Sequence, residues 1–461
     1  MWTKPSQASA FAERRARLLA QFHGPALLVA GHSRPRNFQH NRFPFRAESH
    51  FLYLVGRSIE GAALQLGSGR ATLFAPPSDP EAELWTGPMP TLDQLSDELG
   101  LEVRPIEELE QAGAKDAATL PPQDLESAAW LAMLLDREED LEPGGGPELE
   151  GADAALAEAM IAVRLSHDAA AVEQLREAAR VTERAHRAGM RATRVEAREA
   201  VVRAAMEAEI TAAGCSTAYG SIVTVHGEVL HNDRHDGVLG ERDLLLADVG
   251  AETPEGFAGD VTRAWPVTGR FSATQKALYE VVLASQLAAI DAVAPGVSYL
   301  DVHRRAGLVL VEGLIAIGIL RGDAQDLYAR GAAALFFPHG VGHLLGVDVH
   351  DMEDLGDRAG YAPGRRRATT RGDRYLRLDR DLATGMCVTI EPGFYQIRRI
   401  LDEPAEVGEL ESALNRVVLE RFDDVRGIRI EDDVLVTEGG HEVLSAGVPK
   451  SVADVEAAVR G

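Results

Sequence analysis

Apolar and polar positions change rhythm several times along this chain. From Ala10 to Phe22, apolar residues recur at helical spacing among arginines, which predicts an amphipathic helix. Four short apolar runs follow, Ala26 to Ala30, Phe51 to Val55, Ala62 to Leu66 and Ala71 to Ala75. Glycine and proline punctuate them, the pattern of strands joined by turns. Helical patches near Asp93 to Leu99 and Leu125 to Leu135 complete a front portion that reads as a small α/β domain, residues 1–160, with no catalytic constellation in it. The clearest break is Glu142-Pro143-Gly144-Gly145-Gly146-Pro147, which sets the domain boundary between there and about Arg164.

Behind that break, residues 161–461, the rhythm is helical and then paired. Ser166 is a candidate cap for a long helix with Val172, Leu175, Ala179 and Val181 along one face. A second helix is expected from about Arg194 to Ala213. Ser272-Ala273-Thr274-Gln275 reads as a capping box, and Pro295-Gly296 should stop the helix it starts. No short-period repeat is present. A loose symmetry is: each half of this portion ends in a strand pair carrying two carboxylates.

Composition narrows the classes. A prior of about 150 residues per domain gives roughly three domains for 461 residues, although larger single domains are common. With 45% hydrophobic but only 5% aromatic residues, aliphatic packing must build the core. The formal charge of −25 argues against a nucleic-acid or anionic-membrane partner. Met1 to Gly24 has no apolar signal region and no run approaches a membrane span, so a soluble, cytoplasmic protein is expected. Cys215 and Cys387, the only cysteines, make neither a disulfide framework nor a thiolate metal site, which fits a reducing compartment.

The chemistry concentrates at Phe337-Pro338-His339-Gly340-Val341-Gly342-His343 and on to His350-Asp351, where three of fourteen histidines fall close together among glycines. A lone histidine there would be polar surface; three together point to ligands or proton carriers. Two acidic pairs accompany them. Asp248 ends the apolar run Leu244-Leu245-Leu246-Ala247, and Asp260 precedes Val261-Thr262, a spacing that suits a hairpin with both carboxylates at one end. Glu391 follows Cys387-Val388-Thr389-Ile390, and Glu431 follows Gly427-Ile428-Arg429-Ile430. A charge directly after such a run is costly unless a cation meets it. Four carboxylates and an imidazole can hold two divalent cations, and oxygen-rich ligation favours manganese, magnesium or cobalt over a lone tetrahedral zinc. Such a pair carries out hydrolysis. No nucleophile elbow, P-loop or dinucleotide-binding glycine turn competes.

The segments Ala247-Asp248 to Thr262, His339 to Asp351, Ile390-Glu391-Pro392-Gly393 and Ile428 to Asp433 resemble the metal motifs of the pita-bread peptidases, in the branch holding prolidase and aminopeptidase P. The resemblance covers the chain from about Ile161 onward. It is weaker at Phe45-Arg46-Ala47-Glu48-Ser49 and Trp85-Thr86-Gly87, which are similar to pieces of these enzymes' N-terminal domain. One departure is an Asp–Asp hairpin one residue longer around Pro254. The resemblance implies an α/β (α+β) architecture, a C-terminal pita-bread catalytic domain behind a smaller N-terminal α/β domain. It makes Asp248, Asp260, His343, Glu391 and Glu431 the metal ligands, for two divalent ions, Mn2+ first and Co2+ or Zn2+ as alternatives. Between such ions a bridging hydroxide attacks the peptide carbonyl, with Glu391 as general base. By the same likeness His231 lines the proline side of the pocket, His350 steadies the tetrahedral intermediate, and His339 lies on the same wall. Thr262 and Arg429 are expected as supporting partners, and Tyr219 has a weaker match; His226 and His235 read as surface histidines.

Substrates implied are small proline-containing peptides, handled by a homodimer. Two inserts bear on which peptides. Tyr361 to Arg380 carries seven arginines, most of which read as a solvated loop, but Arg377 stands fourteen residues before Glu391, where similar prolidases place the arginine that grips a dipeptide carboxylate. Leu401 to Phe422 is also prolidase-like. The resulting expectation is an Xaa-Pro dipeptidase (prolidase), with aminopeptidase P as the close alternative. A non-enzymatic binding protein on the same fold, or a metal-free hydrolase such as creatinase, is disfavoured because all five ligand positions are occupied.

Overall fold

Short buried runs in the front portion take two different conformations. Ala26–Val29 (β1), Ala63–Gly67 (β2), Arg70–Ala75 (β3) and Glu102–Pro105 (β4) form one sheet in that order, antiparallel except for the parallel pair β3–β4. Phe51 to Val55, expected as a strand, is instead the end of a helix, Ser49–Val55. Its ends explain the difference: the Glu48 carboxylate accepts from the His50 and Phe51 amides, and Gly56 closes the last turn at φ 75°. A fully buried run of this length has no periodicity, so only its caps decide. Leu27, Val29, Ala63, Phe74, Leu131 and Leu135 share one core, the last two from the helix Leu125–Leu135, whose N-cap is Asp124.

The computed structural model describes residues 8–137 and 149–461. One compact unit comprises Met1–Ala170, Pro254–Gly256 and Met352–Ala359; the other comprises Ala171–Thr253, Phe257–Asp351 and Gly360–Gly461. The expected break at Glu142 to Pro147 lies outside the described residues. Among them no helix is long and apolar enough to cross a membrane.

In the second unit, helices bracket two sets of strands. The first long helix spans Ala169–Ala192, starting three residues after Ser166, and the next, Glu199–Ala212, begins later than Arg194. Ser272 and Gln275 do form a reciprocal capping box, and their helix runs Ala273–Asp291, ending just before Pro295. It packs on Tyr299–Ala316, to which Ser285 ties it through the Ala306 carbonyl at 2.8 Å.

Ile222–Thr224 (β5), Leu244–Asp248 (β6) and Thr262–Pro266 (β7) form an antiparallel sheet with β6 in the middle, and all their side chains are buried. Asp248 is in register with Thr262. Cys387–Ile390 (β8), Gly393–Tyr395 (β9), Gly427–Arg429 (β10), Asp432–Thr437 (β11) and Gly440–Val443 (β12) form the second set. β8 pairs with β11 and β9 with β10, both antiparallel. Ile390 faces Asp432 and Gly393 faces Arg429, one register on both sides of a gap, so Glu391 stands opposite Glu431 inside it. Pro392 lies in the gap with no amide hydrogen to give to a ladder. The two glutamates send theirs elsewhere: Glu391 to the Val341 carbonyl (2.8 Å) and Glu431 to that of Thr262 (3.0 Å). This interruption stitches four chain segments together at the carboxylates.

Candidate metal centre

The tightest grouping is Asp260, His343 and Glu431, whose ligand atoms all lie within 4.8 Å of one another and which are all buried. Asp248 is the last residue of β6, and Asp260 stands two residues before β7. The Tyr219 hydroxyl lies between them, 2.5 Å from Asp248 Oδ1 and 2.6 Å from Asp260 Oδ1. One hydroxyl proton can serve only one of these oxygens at a time.

His343 shows how the segment prepares a ligand. Its Nδ1–H donates to the Leu344 carbonyl (2.9 Å), because a carbonyl only accepts. That leaves the Nε2 lone pair facing Asp260 Oδ2 at 3.4 Å and Glu391 Oε1 at 3.7 Å. A lone pair aimed at two carboxylates is the arrangement that a cation between them would complete. Gly342 makes the approach feasible: at φ 153°, a Cβ there would lie 2.2 Å from the Thr389 carbonyl oxygen.

Electrostatics point the same way. Burial pushes the Glu391 carboxyl up to about 8, helped by Asp260 and Asp248 and opposed by Arg429. Glu431 is raised well above its usual range by burial and by Asp260, Glu391 and Asp248. Burial also raises Asp248 and Asp260. The guanidinium among them belongs to Arg429, which donates to Asp248 Oδ2 (2.6 Å), Thr262 Oγ1 (2.9 Å) and the Tyr395 hydroxyl (3.2 Å). Thr262 in turn donates to Glu431 Oε2 at 2.6 Å. Three buried carboxylates and the part-buried Glu391 around one guanidinium carry more negative charge than their partners balance, and an oxygen-rich set with one imidazole nitrogen fits divalent cations.

The other expected site residues fall around this centre. The His350 ring packs edge-on against His343, centroids 4.2 Å apart. His339 donates from Nδ1 to the Gly340 carbonyl and accepts at Nε2 from the Tyr395 hydroxyl, both at 2.8 Å. Burial, then the charge of Arg429, depresses its pKa to about 3, so the ring is neutral. His231 is exposed, its pKa lowered by partial desolvation and by the charges of Arg429, Arg377 and His350. Of the two histidines assigned to the surface, His226 is exposed beside Glu228, whereas His235 is partly buried with Nε2 on the Ser221 carbonyl at 2.8 Å.

A cavity of about 700 Å³ opens beside Glu391, lined by His339, Gly342, Ile397 and Ile400, and by Arg367, Arg371, Arg374, Arg377 and Arg399. The arginine insert is exposed at Arg366, Arg367, Arg374 and Arg377, in line with a solvated loop. Four of its seven arginines wall this cavity, and Arg371 pairs with Glu406 at 3.2 Å. The Tyr219 hydroxyl is shared between two carboxylates and Arg429 is divided among Asp248, Thr262 and Tyr395, while Arg377 lines the cavity. Tyr395, which joins His339 to Arg429, escaped the sequence reading; two-residue alternation from Gly393 in β9 is the signal that marks it.

The profile of metallopeptidase family M24 matches residues 173–438, and that of the aminopeptidase P N-terminal domain matches residues 11–122. The chain is 32% identical to a probable Xaa-Pro aminopeptidase pepP of Talaromyces marneffei, over 98% of this chain and 97% of that one. It is also 32% identical to the Xaa-Pro dipeptidase of Homo sapiens, over 90% of this chain and 85% of that one. The solved structure of Pseudomonas aeruginosa aminopeptidase PepP superposes with a TM-score of 0.81 at 32% identity, covering 99% of both chains. Zinc-substituted Escherichia coli aminopeptidase P in complex with product gives 0.79 at 27% identity, covering 98% of both.

Proposed function

The chain belongs to metallopeptidase family M24, and from that premise we propose that it hydrolyses the bond joining an N-terminal residue to proline in small peptides. The observation that carries this reading is the buried Asp260–His343–Glu431 cluster, flanked by Asp248 and Glu391 and opening on a cavity. Relatives named for Xaa-Pro cleavage, matching nearly end to end, support it.

Asp248, Asp260, His343, Glu391 and Glu431 would hold two divalent cations, manganese first and cobalt or zinc as alternatives. When bound, such cations supply Lewis acidity toward the peptide carbonyl and make water a nucleophile near neutral pH. The chain's own groups then do the rest. Glu391 takes the proton of the attacking water and hands it to the proline nitrogen as the C–N bond breaks. That nitrogen carries no hydrogen in the substrate, so it needs a proton to leave as an amine. His350, edge-on against His343, donates to the carbonyl oxygen as charge develops there. His231 and His339 line the proline side, and Arg429 holds Asp248 and Thr262 in place.

Arg377 in the cavity wall supports the dipeptidase reading, since a guanidinium grips a free carboxylate through two parallel hydrogen bonds. A second reading, aminopeptidase P, is favoured by the cavity, whose volume of about 700 Å³ exceeds what a dipeptide needs. A homodimer working in the cytoplasm completes the proposal, and sedimentation tests the dimer.

Gly-Pro and Gly-Pro-Ala hydrolysis after chelation and after Mn2+ return is the decisive assay. Chelation should abolish both, and Mn2+ should restore them; full activity in a verified metal-free preparation overturns the dinuclear reading. Arg377→Ala should lower the efficiency for Gly-Pro roughly tenfold or more relative to Gly-Pro-Ala. A wild type that prefers the tripeptide, with an unchanged ratio in the variant, moves the enzyme to aminopeptidase P.

A further inference from the structure

The cavity wall holds more cation than the reaction uses. Five arginines line it, and three of them have evident duties. Arg371 is paired with Glu406, Arg367 donates to the Leu376 carbonyl at 2.9 Å, and Arg377 acts on Glu391 and His231 through its charge. Arg374 and Arg399 differ: among the described residues neither makes an ion pair. Both are exposed, and the Arg374 guanidinium lies 4.7 Å from the centre of the Tyr375 ring, another cavity residue. A guanidinium held flat on an aromatic face keeps its N–H groups free at the edge and has already given up part of its rotamer freedom. In a chain of charge −25, two exposed arginines without an ion pair on one cavity wall leave local positive charge there.

We propose that this wall selects peptides carrying a carboxylate one or two residues beyond the scissile proline, with Arg374 and Arg399 as the groups that receive it. The inference rests on the Xaa-Pro peptidase reading. Arg374 and Arg399 are exposed in the wall of a cavity larger than a dipeptide needs. They are therefore suited to a longer chain, whose carboxylate lies further on. That carboxylate can be the chain end or an acidic side chain, and the recognising chemistry is the same.

The Mn2+-loaded enzyme is assayed with Ala-Pro-Ala, its C-terminal amide, Ala-Pro-Asp amide and Ala-Pro-Lys amide. Peptides with a carboxylate should exceed the neutral amide in kcat/KM by about three- to tenfold, the range for two exposed guanidinium contacts, and the lysine peptide should be poorest. Preference for Ala-Pro-Ala alone assigns the wall to chain ends; preference that includes the aspartyl amide assigns it to acidic side chains as well. The ratio should shrink as salt rises, and Arg374→Gln with Arg399→Gln should bring it toward one. Arg398→Gln, on the neighbouring exposed arginine 3.9 Å from Asp402 and outside the cavity lining, should leave it unchanged. A wild-type ratio near one, or a ratio the double variant does not move, overturns the proposal while the peptidase reading stands. Cleavage of none of the four peptides while Gly-Pro is cleaved also overturns the proposal and leaves a dipeptidase; cleavage of neither set overturns the peptidase reading itself.

Discussion

Glu431 and Asp432 are neighbours in sequence and both fully buried, yet they meet opposite fates. Successive residues at the start of a strand face opposite ways. Asp432 turns toward Arg263, Lys450, Gln286 and Ser445, each of which donates to it at 2.7 Å. Those partners, Arg263 foremost, outweigh its burial and hold its pKa at about 2. Glu431 turns toward Asp260, Glu391 and Asp248, with one hydroxyl from Thr262, and its pKa rises. The first is a finished ion pair: removing one side strands the other. The second has its anions in place and too little cation, which is how a site built for an added metal differs from one built for stability. Asp433 is a third case, buried on the same side as Glu431 and accepting the Asp260 amide at 3.1 and 3.2 Å, so it fixes the backbone of a ligand candidate.

Exchange of each carboxylate for its amide separates the two kinds most sharply. Asp432→Asn leaves Arg263 and Lys450 without their anion in a buried place and should cost about 3–5 kcal/mol in urea unfolding. Glu431→Gln should leave the chelated protein as stable as before or more so, because it removes a charge that burial already disfavours. The same variant should lose nearly all activity. Equal destabilisation by the two substitutions would erase the distinction.

His350→Ala sharpens the comparison from the chemical side. It should retain bound metal, measured by elemental analysis, and lose about 10²–10³-fold in kcat, the scale of one donor to a developing oxyanion. A rate within twofold of wild type would remove His350 from the chemistry.

Much of this contrast was legible in the sequence, for a physical reason. Ligand candidates announce themselves where a charge follows directly on a buried β-branched run, as at Ile390-Glu391 and Ile430-Glu431, because such a placement needs compensation from somewhere. What was hidden is what distant partners decide. Phe51 to Val55 reads as a strand until Glu48 and Gly56 are seen capping a helix. The arginines of Tyr361 to Arg380 read as solvated, as four of them are, but Glu406, thirty-five residues past Arg371 in sequence, and the cavity beside Glu391 were not legible. Asp432 carries no sign of Arg263 and Lys450 in its own neighbourhood.

The smallest effect is the pH dependence of stability, and its sign discriminates most finely. In chelated protein, Glu391 has an ordinary pKa of 4.5 when unfolded and about 8 when folded. Between those values the folded state keeps a proton that the unfolded chain has released, so stability falls as pH rises. Asp248, Asp260 and Glu431 shift in the same direction. Buried His186 opposes them: at about 4 when folded against 6.5 when unfolded, chiefly through burial, it adds stability as pH rises between those values. His303, also at about 4, and His339, at about 3, act like His186. All three histidines have nearly finished titrating by about pH 7.5, one unit above their unfolded value, leaving the carboxylates alone from there to about 8. Asp432, at about 2, contributes nothing in this window. The stability of chelated protein in urea should therefore fall from about pH 7.5 to 8, by at most about 1.4 kcal/mol per pH unit for each proton involved. Saturating Mn2+ should flatten the slope, because cations hold the carboxylates ionised in the folded state. Glu431→Gln should reduce it in the chelated protein. A flat or rising profile in chelated wild type would mean that these carboxylates are already compensated, as Asp432 is, and would remove the electrostatic case for a metal centre.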